Sequence, residues 1–199
     1  AEQGRVDASN YDAFWLWAGV EPQLVLDRAK TIYILAAEIK GGPEGRYVDL
    51  RPAVPRVKHA QVWIVYRVET LEWDANVLPR IRRDLESWKG KGNRIAGIQM
   101  DFDAATRGLP NYAAFLKQLR AELPPGTGLS VTGLLDWSSG GDSTALNWRA
   151  GTVAEVVLQA YQGRNSIPGY QAYLRQLERV KLPFKIGLVQ QGEWQAPPG

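Results

Sequence analysis

The chain has 199 residues, of which 45% are hydrophobic and 23% charged, so it can build one sizeable core and is too apolar for a disordered chain. The absence of cysteine excludes disulfides, thiolate nucleophiles, zinc fingers and iron–sulfur clusters. The net charge is only +3, and no run approaches the ~18 apolar residues of a transmembrane segment. We therefore expect a single domain over residues 1–199.

The densest basic cluster lies on and after a predicted helix, between Arg80 and Arg94. Asp84 and Glu86 are interleaved with it, and no nucleic-acid-binding motif accompanies it. We favour a solvated helix face over a phosphate-binding face, and expect no nucleic-acid partner. The polar start of the sequence, Ala1 to Arg5, lacks Met and favours an exported or periplasmic protein. Nothing in the sequence indicates the oligomeric state.

Apolar segments with strand-like patterns predict seven strands. They cover residues 13–19, 31–39, 61–69, 97–103, 129–137, 153–161 and 184–191. Apolar stripes predict a helix over 77–88 and another over 112–123, the second capped by Asn111, with shorter helices near 22–29, 145–148 and 170–177. Residues 46–57 contain two prolines and predict a hairpin or an extended insertion. The ends, 1–12 and 193–199, are expected to be irregular.

Strands that alternate with helices indicate parallel strands joined by right-handed crossovers. The fold we predict is an α/β TIM-type (β/α) barrel that is short or incomplete, because the eighth unit is missing or irregular. A doubly wound sheet is the alternative. We prefer the barrel because polar residues recur at the C-terminal ends of most strands, whereas a doubly wound sheet gathers them at one switch point.

The strand at 97–103 has an unusual polar row. Ile98, Met100 and Phe102 point to one side, while Gln99, Asp101 and Asp103 point to the other. Carboxylates are costly to bury alone, so such a row belongs in a barrel lumen that opens at the active-site mouth. The alternative is that the two Asp cap the next helix or bind structural water.

The strand ends gather a wider set of polar and aromatic candidates at one mouth. Its members are Trp17, Glu38, Arg67, Glu69, Gln99, Asp101, Asp103, Asp136, Trp137, Gln159, Tyr161, Gln190 and Gln191. Neighbouring carboxyls shift one another's pKa, which divides acid from base roles, and glycoside hydrolysis uses two carboxyls that flank the scissile bond. Aromatic side chains suit the faces of sugar rings. The tryptophans outside this set, Trp63, Trp73, Trp88 and Trp148, are expected to pack in the core.

Other chemistries have weaker support. The single histidine, His59, precedes the third strand and lies at the far end from the mouth, which argues against a Ser-His-Asp triad or a His-rich metal site. No nucleotide-binding glycine loop is present, and we expect no cofactor. Mg²⁺ or Ca²⁺ bound by Asp101, Asp103 and Asp136 is an alternative that we rank below acid/base chemistry.

The strand Gly97-Ile98-Gln99-Met100-Asp101-Phe102-Asp103 resembles the fourth-strand signature of chitinase-type glycosidases, a glycine-led strand with three alternating acids that ends in the catalytic one. The resemblance implies that Asp103 holds the general-acid position and that Gln99 and Asp101 hold the supporting positions. Gln159-Ala160-Tyr161-Gln162 is similar to the sixth-strand element of that superfamily, in which a Tyr faces the substrate.

Most of the chain also looks like a bacterial family of uncharacterised glycoside-hydrolase-like barrel domains. The segments that carry this resemblance are 11–17, 97–103, 133–137 and 159–163. Two departures separate the chain from chitinases: Gln99 stands in place of an acid, and Asp103 is about one methylene shorter than the usual Glu. The final strand of chitinases, which carries a Trp under the sugar, is also not recognisable in this sequence. These departures favour a polysaccharide-directed barrel over a chitinase.

From the residues and the resemblance we expect a glycoside hydrolase-like protein. Asp103 would be the acid, and Asp101 or Asp136 the base, nucleophile or electrostatic support. Tyr161 and Gln159 would hold the sugar, and Trp17 and Trp137 would stack on it. The alternatives are a catalytically inactive glycan-binding barrel and an envelope scaffold domain.

Overall fold

The computed structural model of the chain describes residues 3–5, 12–16, 28–42, 45–102, 109–134, 152–159, 161–162, 165–166, 184–187 and 193–195. None of the helices among them is both long enough and apolar enough to cross a membrane.

Twelve strands and two helices lie in the described residues. The strands are β1 (Gln3–Arg5), β2 (Ala13–Leu16), β3 (Thr31–Lys40), β4 (Arg46–Asp49), β5 (Gln61–Val68), β6 (Arg94–Phe102), β7 (Gly128–Leu134), β8 (Glu155–Gln159), β9 (Tyr161–Gln162), β10 (Asn165–Ser166), β11 (Phe184–Gly187) and β12 (Glu193–Gln195). The helices are α1 (Val77–Gly90) and α2 (Leu109–Glu122).

The main sheet has the order β11-β8-β7-β6-β5-β3-β2, and all of these neighbours are parallel. Its seven parallel strands correspond to the seven predicted from the sequence, and β4 is an eighth strand that pairs with β3. The sheet is curled into a half-barrel, as hydrogen bonds between distant strands show. Tyr33 of β3 bonds to Glu155 of β8, four strands away. In a flat sheet that separation is roughly 19 Å at ~4.8 Å per strand, beyond the reach of the two side chains.

Residues 46–57, predicted to form a hairpin or an extended insertion, begin with β4, which pairs antiparallel with the end of β3, from Ala37↔Asp49 to Lys40↔Arg46. The hairpin therefore lies between β3 and β4, and residues 50–57 form no strand. The expectation of irregular termini is wrong in part. β1 and β12 pair with each other in a second sheet of order β1-β12-β10-β9. These are strands of two or three residues, too short for a hydrophobic period to show.

Helix α1 packs on the outer, convex face of the sheet through Val77, Ile81, Leu85 and Trp88, the stripe that the sequence predicts. Helix α2 contributes its own predicted stripe to the same core, but it begins at Leu109. The prediction of a cap at Asn111 is therefore wrong, since the helix continues two residues further back. Residues 22–27 of the helix predicted near 22–29, and the predicted helices at 145–148 and 170–177, lie outside the described residues.

A partly buried carboxylate, that of Asp84, holds α1 against the strands beneath it. Asp84 Oδ2 accepts hydrogen bonds from the hydroxyls of Tyr47 (2.6 Å) and Tyr66 (2.7 Å). Arg80 lies 3.7 Å from the other oxygen of Asp84 and 3.1 Å from Asp49. Because every polar group here has a partner, the helix is held in one position against β4 and β5.

Two glycines allow β6 and β7 to approach closely. A Cβ placed on Gly97 would lie 2.0 Å from the carbonyl oxygen of Gly128, and one placed on Gly128 would lie 2.7 Å from the ring of Trp63. Gly97 and Gly128 are register partners. The inner face therefore has room for the Trp63 ring only because neither strand carries a side chain there.

We predict that Gly97→Ala lowers the free energy of unfolding by about 3 kcal/mol, because backbone rather than a flexible side chain must move. Urea denaturation measures the change. Gly90→Ala is the matched control, because nothing lies within 4 Å of a Cβ at that position, and its effect should be within ~1 kcal/mol of zero. Equal losses in the two variants would contradict the close approach of β6 and β7.

Candidate functional site on the concave face

Strand register arranges the concave face in three rows. The lower row is aromatic and contains Trp15, Tyr33 and Trp63, which are direct cross-strand partners. The middle row contains Val65, Gln99, Ser130 and Glu155. The upper row, nearest the C-terminal ends of the parallel strands, contains Glu38, Arg67, Asp101 and Thr132. We call the end formed by those strand termini the mouth.

The aromatic row forms a stack at the bottom of the concavity. Trp15 and Tyr33 have ring centroids 4.1 Å apart with an interplanar angle of 9°, and Tyr33 and Trp63 follow at 6.2 Å and 7°. Tyr33 is fully buried and Trp63 is nearly so. Such stacking adds to the burial of the rings and fixes the floor of the concave face.

A chain of hydrogen bonds, in which each group donates to the next, runs across the middle row. The indole Nε1 of Trp15 donates to Gln99 Oε1 (3.0 Å), and Gln99 Nε2 donates to Ser130 Oγ (3.0 Å). Ser130 in turn donates to Glu155 Oε1 (3.1 Å), which also accepts a short hydrogen bond from the hydroxyl of Tyr33. An indole can only donate and a carboxylate can only accept, so the two ends dictate the orientation of Gln99 and Ser130.

This network holds a buried carboxylate, since Glu155 is 7% exposed. Burial, and next the hydrogen bond to Glu155, raise the pKa of Tyr33 well above its ordinary value. The hydroxyl therefore remains a donor throughout the neutral range. Gln99 is fully buried and bonded through both amide atoms, so it supports the upper row from below.

Asp101 is the acidic group that β6 contributes to the upper row. Its Oδ1 accepts a hydrogen bond from Thr132 Oγ1 (2.8 Å), and its Oδ2 lies 3.8 Å from Arg67 Nε. The side chain of Asp101 is 21% exposed and that of Arg67 is 45% exposed, so a ligand in the concavity can reach both. Two partners on opposite oxygens hold the carboxylate in one orientation.

A second charged cluster lies at the rim of the mouth. Lys40 Nζ lies 3.3 Å from Glu38 and 3.4 Å from Glu69, whose other oxygen accepts a hydrogen bond from the backbone N–H of Gly41 (2.8 Å). The hydrogen bond to Glu38 is the main cause that raises the pKa of Lys40, and the Gly41 N–H is the main cause that lowers the pKa of Glu69. Both groups are therefore held in their charged forms.

The structure thus brings together five of the residues predicted from the sequence, Glu38, Arg67, Glu69, Gln99 and Asp101. Gln159 and Tyr161 lie in β8 and β9, where only their backbone is described. The remaining candidates lie outside the described residues: Trp17, Asp103, Asp136, Trp137, Gln190 and Gln191. Within the described part, no three His, Asp or Glu side chains are grouped as they would be to hold a metal ion.

Glu155, Tyr33, Trp15, Ser130 and Thr132 were not among the sequence candidates. Polar residues at the C-terminal ends of strands indicate a site in a parallel barrel, whereas Glu155 is the first residue of its strand and lies on the concave face below those ends. Its signal was present, because Glu155 is the single acid in the apolar segment Val153 to Leu158. The expected packing roles of Trp63, Trp73 and Trp88 are confirmed.

A family model described as a domain of unknown function, DUF3142, matches residues 62–188, which is more than half of the sequence. The chain belongs to this family. The match includes β5 to β8. These strands carry the whole middle row of the concave face and the whole upper row except Glu38, which lies on β3. No curated protein matches the sequence.

Two solved structures have a similar fold. The chitinase domain of the spore coat protein CotE from Clostridium difficile gives a TM-score of 0.57 at 14% identity, over 90% of this chain and 66% of that one. The Bacillus cereus spore cortex-lytic enzyme SleL also gives 0.57, at 18% identity, over 89% of this chain and 50% of that one. The chain thus spans about two thirds and one half of these proteins. At such identities the comparison shows a similarity of fold alone.

Because the Tyr33 hydroxyl is buried with its proton, we expect the folded protein to lose stability at alkaline pH. Above about pH 10 the unfolded chain ionises at Tyr33 while the folded chain keeps the proton, so the free energy of unfolding falls by about 1.4 kcal/mol per pH unit from this group. Tyr33→Phe lacks that contribution. We expect the variant to be less stable at neutral pH, and its deficit to narrow by about 1 kcal/mol between pH 10 and 11, where ionisation of the unfolded chain is not yet complete at the lower pH.

Urea denaturation at several pH values measures this difference. Ser130→Ala is the control, because it removes the other hydroxyl that donates to Glu155 without removing a titratable group. Its deficit should stay constant over the same pH range. A constant deficit for Tyr33→Phe would show that the hydroxyl ionises normally and is not held by Glu155.

Proposed function

We propose that the protein is a glycoside hydrolase-like enzyme with a TIM-type barrel, and that it cleaves a polysaccharide or oligosaccharide at the mouth of the concave face. The observation that carries the proposal is the placement of Asp101, whose two oxygens are held by Thr132 and Arg67 while its side chain stays accessible. The proposal includes an exported or periplasmic location, where long polysaccharides are encountered.

The proposed chemistry uses two carboxyl groups. Asp103 follows the end of β6 and would protonate the leaving glycosidic oxygen, so that the leaving sugar departs as an alcohol. Asp101 or Asp136 would act as the base, the nucleophile or the electrostatic support for the positive charge that develops on the sugar ring. Arg67 and Thr132 suit the supporting role of Asp101, because they fix the direction in which its charge acts.

The fold comparison supports this class of function and suggests which glycans to test. One similar structure is named a chitinase domain and the other a cortex-lytic enzyme. Chitin-type and bacterial cell-wall glycans are therefore the first substrates to try. Trp17, Trp137, Gln159, Tyr161 and Gln190 remain proposed sugar contacts.

The experiment is reducing-sugar release from a panel of such polysaccharides by the wild type, Asp103→Asn and Asp101→Asn. We expect Asp103→Asn to lose roughly 10²–10⁴-fold in rate, as for removal of a general acid, without a change in the unfolding midpoint. Glu86→Gln is the control, because Glu86 is exposed on α1 on the outer face. Unchanged activity in both Asp variants would contradict the assignment of this strand as catalytic.

A catalytically inactive glycan-binding barrel is the second candidate. The observation that favours it is the absence of a free acid at position 99, where Gln99 is buried and bonded on both sides. Calorimetry with oligosaccharides separates the two functions. Binding without turnover, lost in an Arg67→Ala variant, would establish the second candidate, whereas turnover that disappears in Asp103→Asn would exclude it.

A further inference from the structure

A basic surface lies at the opposite end of the half-barrel from the mouth. We call it the basic end face, and it consists of exposed residues that come before β5 or lie between the last turn of α1 and the start of β6: Arg56, Lys58, His59, Lys89, Lys91 and Arg94. Five of these side chains carry a positive charge at neutral pH. Neither segment that contributes them, 51–60 or 87–94, contains an acidic residue.

The buried side chain of Asn93 brings the two segments together. Its Oδ1 accepts a hydrogen bond from the Val57 N–H (2.7 Å), and its Nδ2 donates to the carbonyls of Pro55 (2.8 Å) and Trp88 (3.0 Å). The guanidinium of Arg56 also lies against Gly92, 3.6 Å from the place of a Cβ there. The like charges are thus held side by side by neutral hydrogen bonds.

Their charges are not offset within the described residues. None of the Lys and Arg side chains of the basic end face lies within ion-pair distance of a described carboxylate. The basic residues nearer the middle of α1 differ, because Arg80 pairs with Asp49 and Asp84, and Arg82 pairs with Glu122. Within the basic cluster seen in the sequence, Arg80 and Arg82 are therefore paired with acids, whereas Lys89, Lys91 and Arg94 can attract an anionic partner.

The strand register places Arg94 at the level where the parallel strands begin. Thr31, Gln61 and Arg94 are aligned partners at the starts of β3, β5 and β6. The Gln61 N–H donates to the carbonyl of Lys30 (2.9 Å), so Lys30, which lies 3.7 Å from Asp12, also borders the face. Cations that lie at the end of the sheet where the parallel strands begin match a flat anionic surface better than they match one narrow polyanion chain.

We propose that the basic end face docks the protein on an anionic lipid bilayer, with phospholipid phosphates as the recognised groups. Each Lys or Arg near such a surface contributes roughly a five-fold gain in binding, so several together suffice for reversible attachment. Docking by this end leaves the mouth pointing away from the membrane. The proposal does not depend on what the mouth binds.

The test is sedimentation of the full chain with vesicles of phosphatidylcholine alone and of phosphatidylcholine mixed with phosphatidylglycerol. We expect binding only to the mixed vesicles, and weaker binding as salt is added, since salt screens exposed charges. The triple variant Lys58→Ala, Lys91→Ala, Arg94→Ala should bind roughly 100-fold more weakly, by the same contribution per cation.

The matched control is Arg46→Ala, Arg83→Ala, Lys117→Ala, which removes the same charge from exposed sites elsewhere. It should bind almost as well as the wild type. An equal loss in both triple variants would overturn the proposal in favour of net charge alone. Absence of binding to the mixed vesicles, with salt-sensitive binding to heparin that the first triple variant loses, would replace the membrane with a soluble polyanion.

Discussion

The buried carboxylate of Glu155 is the constraint on which the concave face depends. Burying a carboxylate costs several kcal/mol unless hydrogen-bond donors reach it, and its donors come from β3 and β7. Tyr33 can reach it only if the sheet curls, and the curl turns one face of the sheet into a concavity. The same bonds orient Ser130 and Gln99 and so set the floor beneath Asp101.

Much of the fold could be predicted from the sequence, because strands buried on both faces leave strong apolar runs. All seven parallel strands and the stripe of α1 follow from that pattern. The polar row of β6 also identified Asp101 correctly as a side chain on the face opposite the helices. Period-two alternation carries this information locally, within a single strand, and needs no knowledge of the partner strands.

What could not be predicted depends on contacts between distant strands. Neither Trp15 nor Tyr33 differs in pattern from a core aromatic residue, and their roles arise from partners 84 and 122 residues away. β1 and β12 consist of Gln-Gly-Arg and Glu-Trp-Gln, which have no apolar period and pair only because the two ends of the chain meet. The start of α2 was misplaced because Asn111 is a good cap residue that lies inside the helix.

The most direct test of the account is a backbone-amide and indole NMR titration with an oligosaccharide that the protein binds or cleaves. We expect the largest shifts at Glu38, Arg67 and Asp101, with a smaller shift of the Trp15 indole N–H through its bond to Gln99. Shifts confined to the residues of the basic end face, or to the outer face of α1, would contradict the assignment of the concave face as the glycan site.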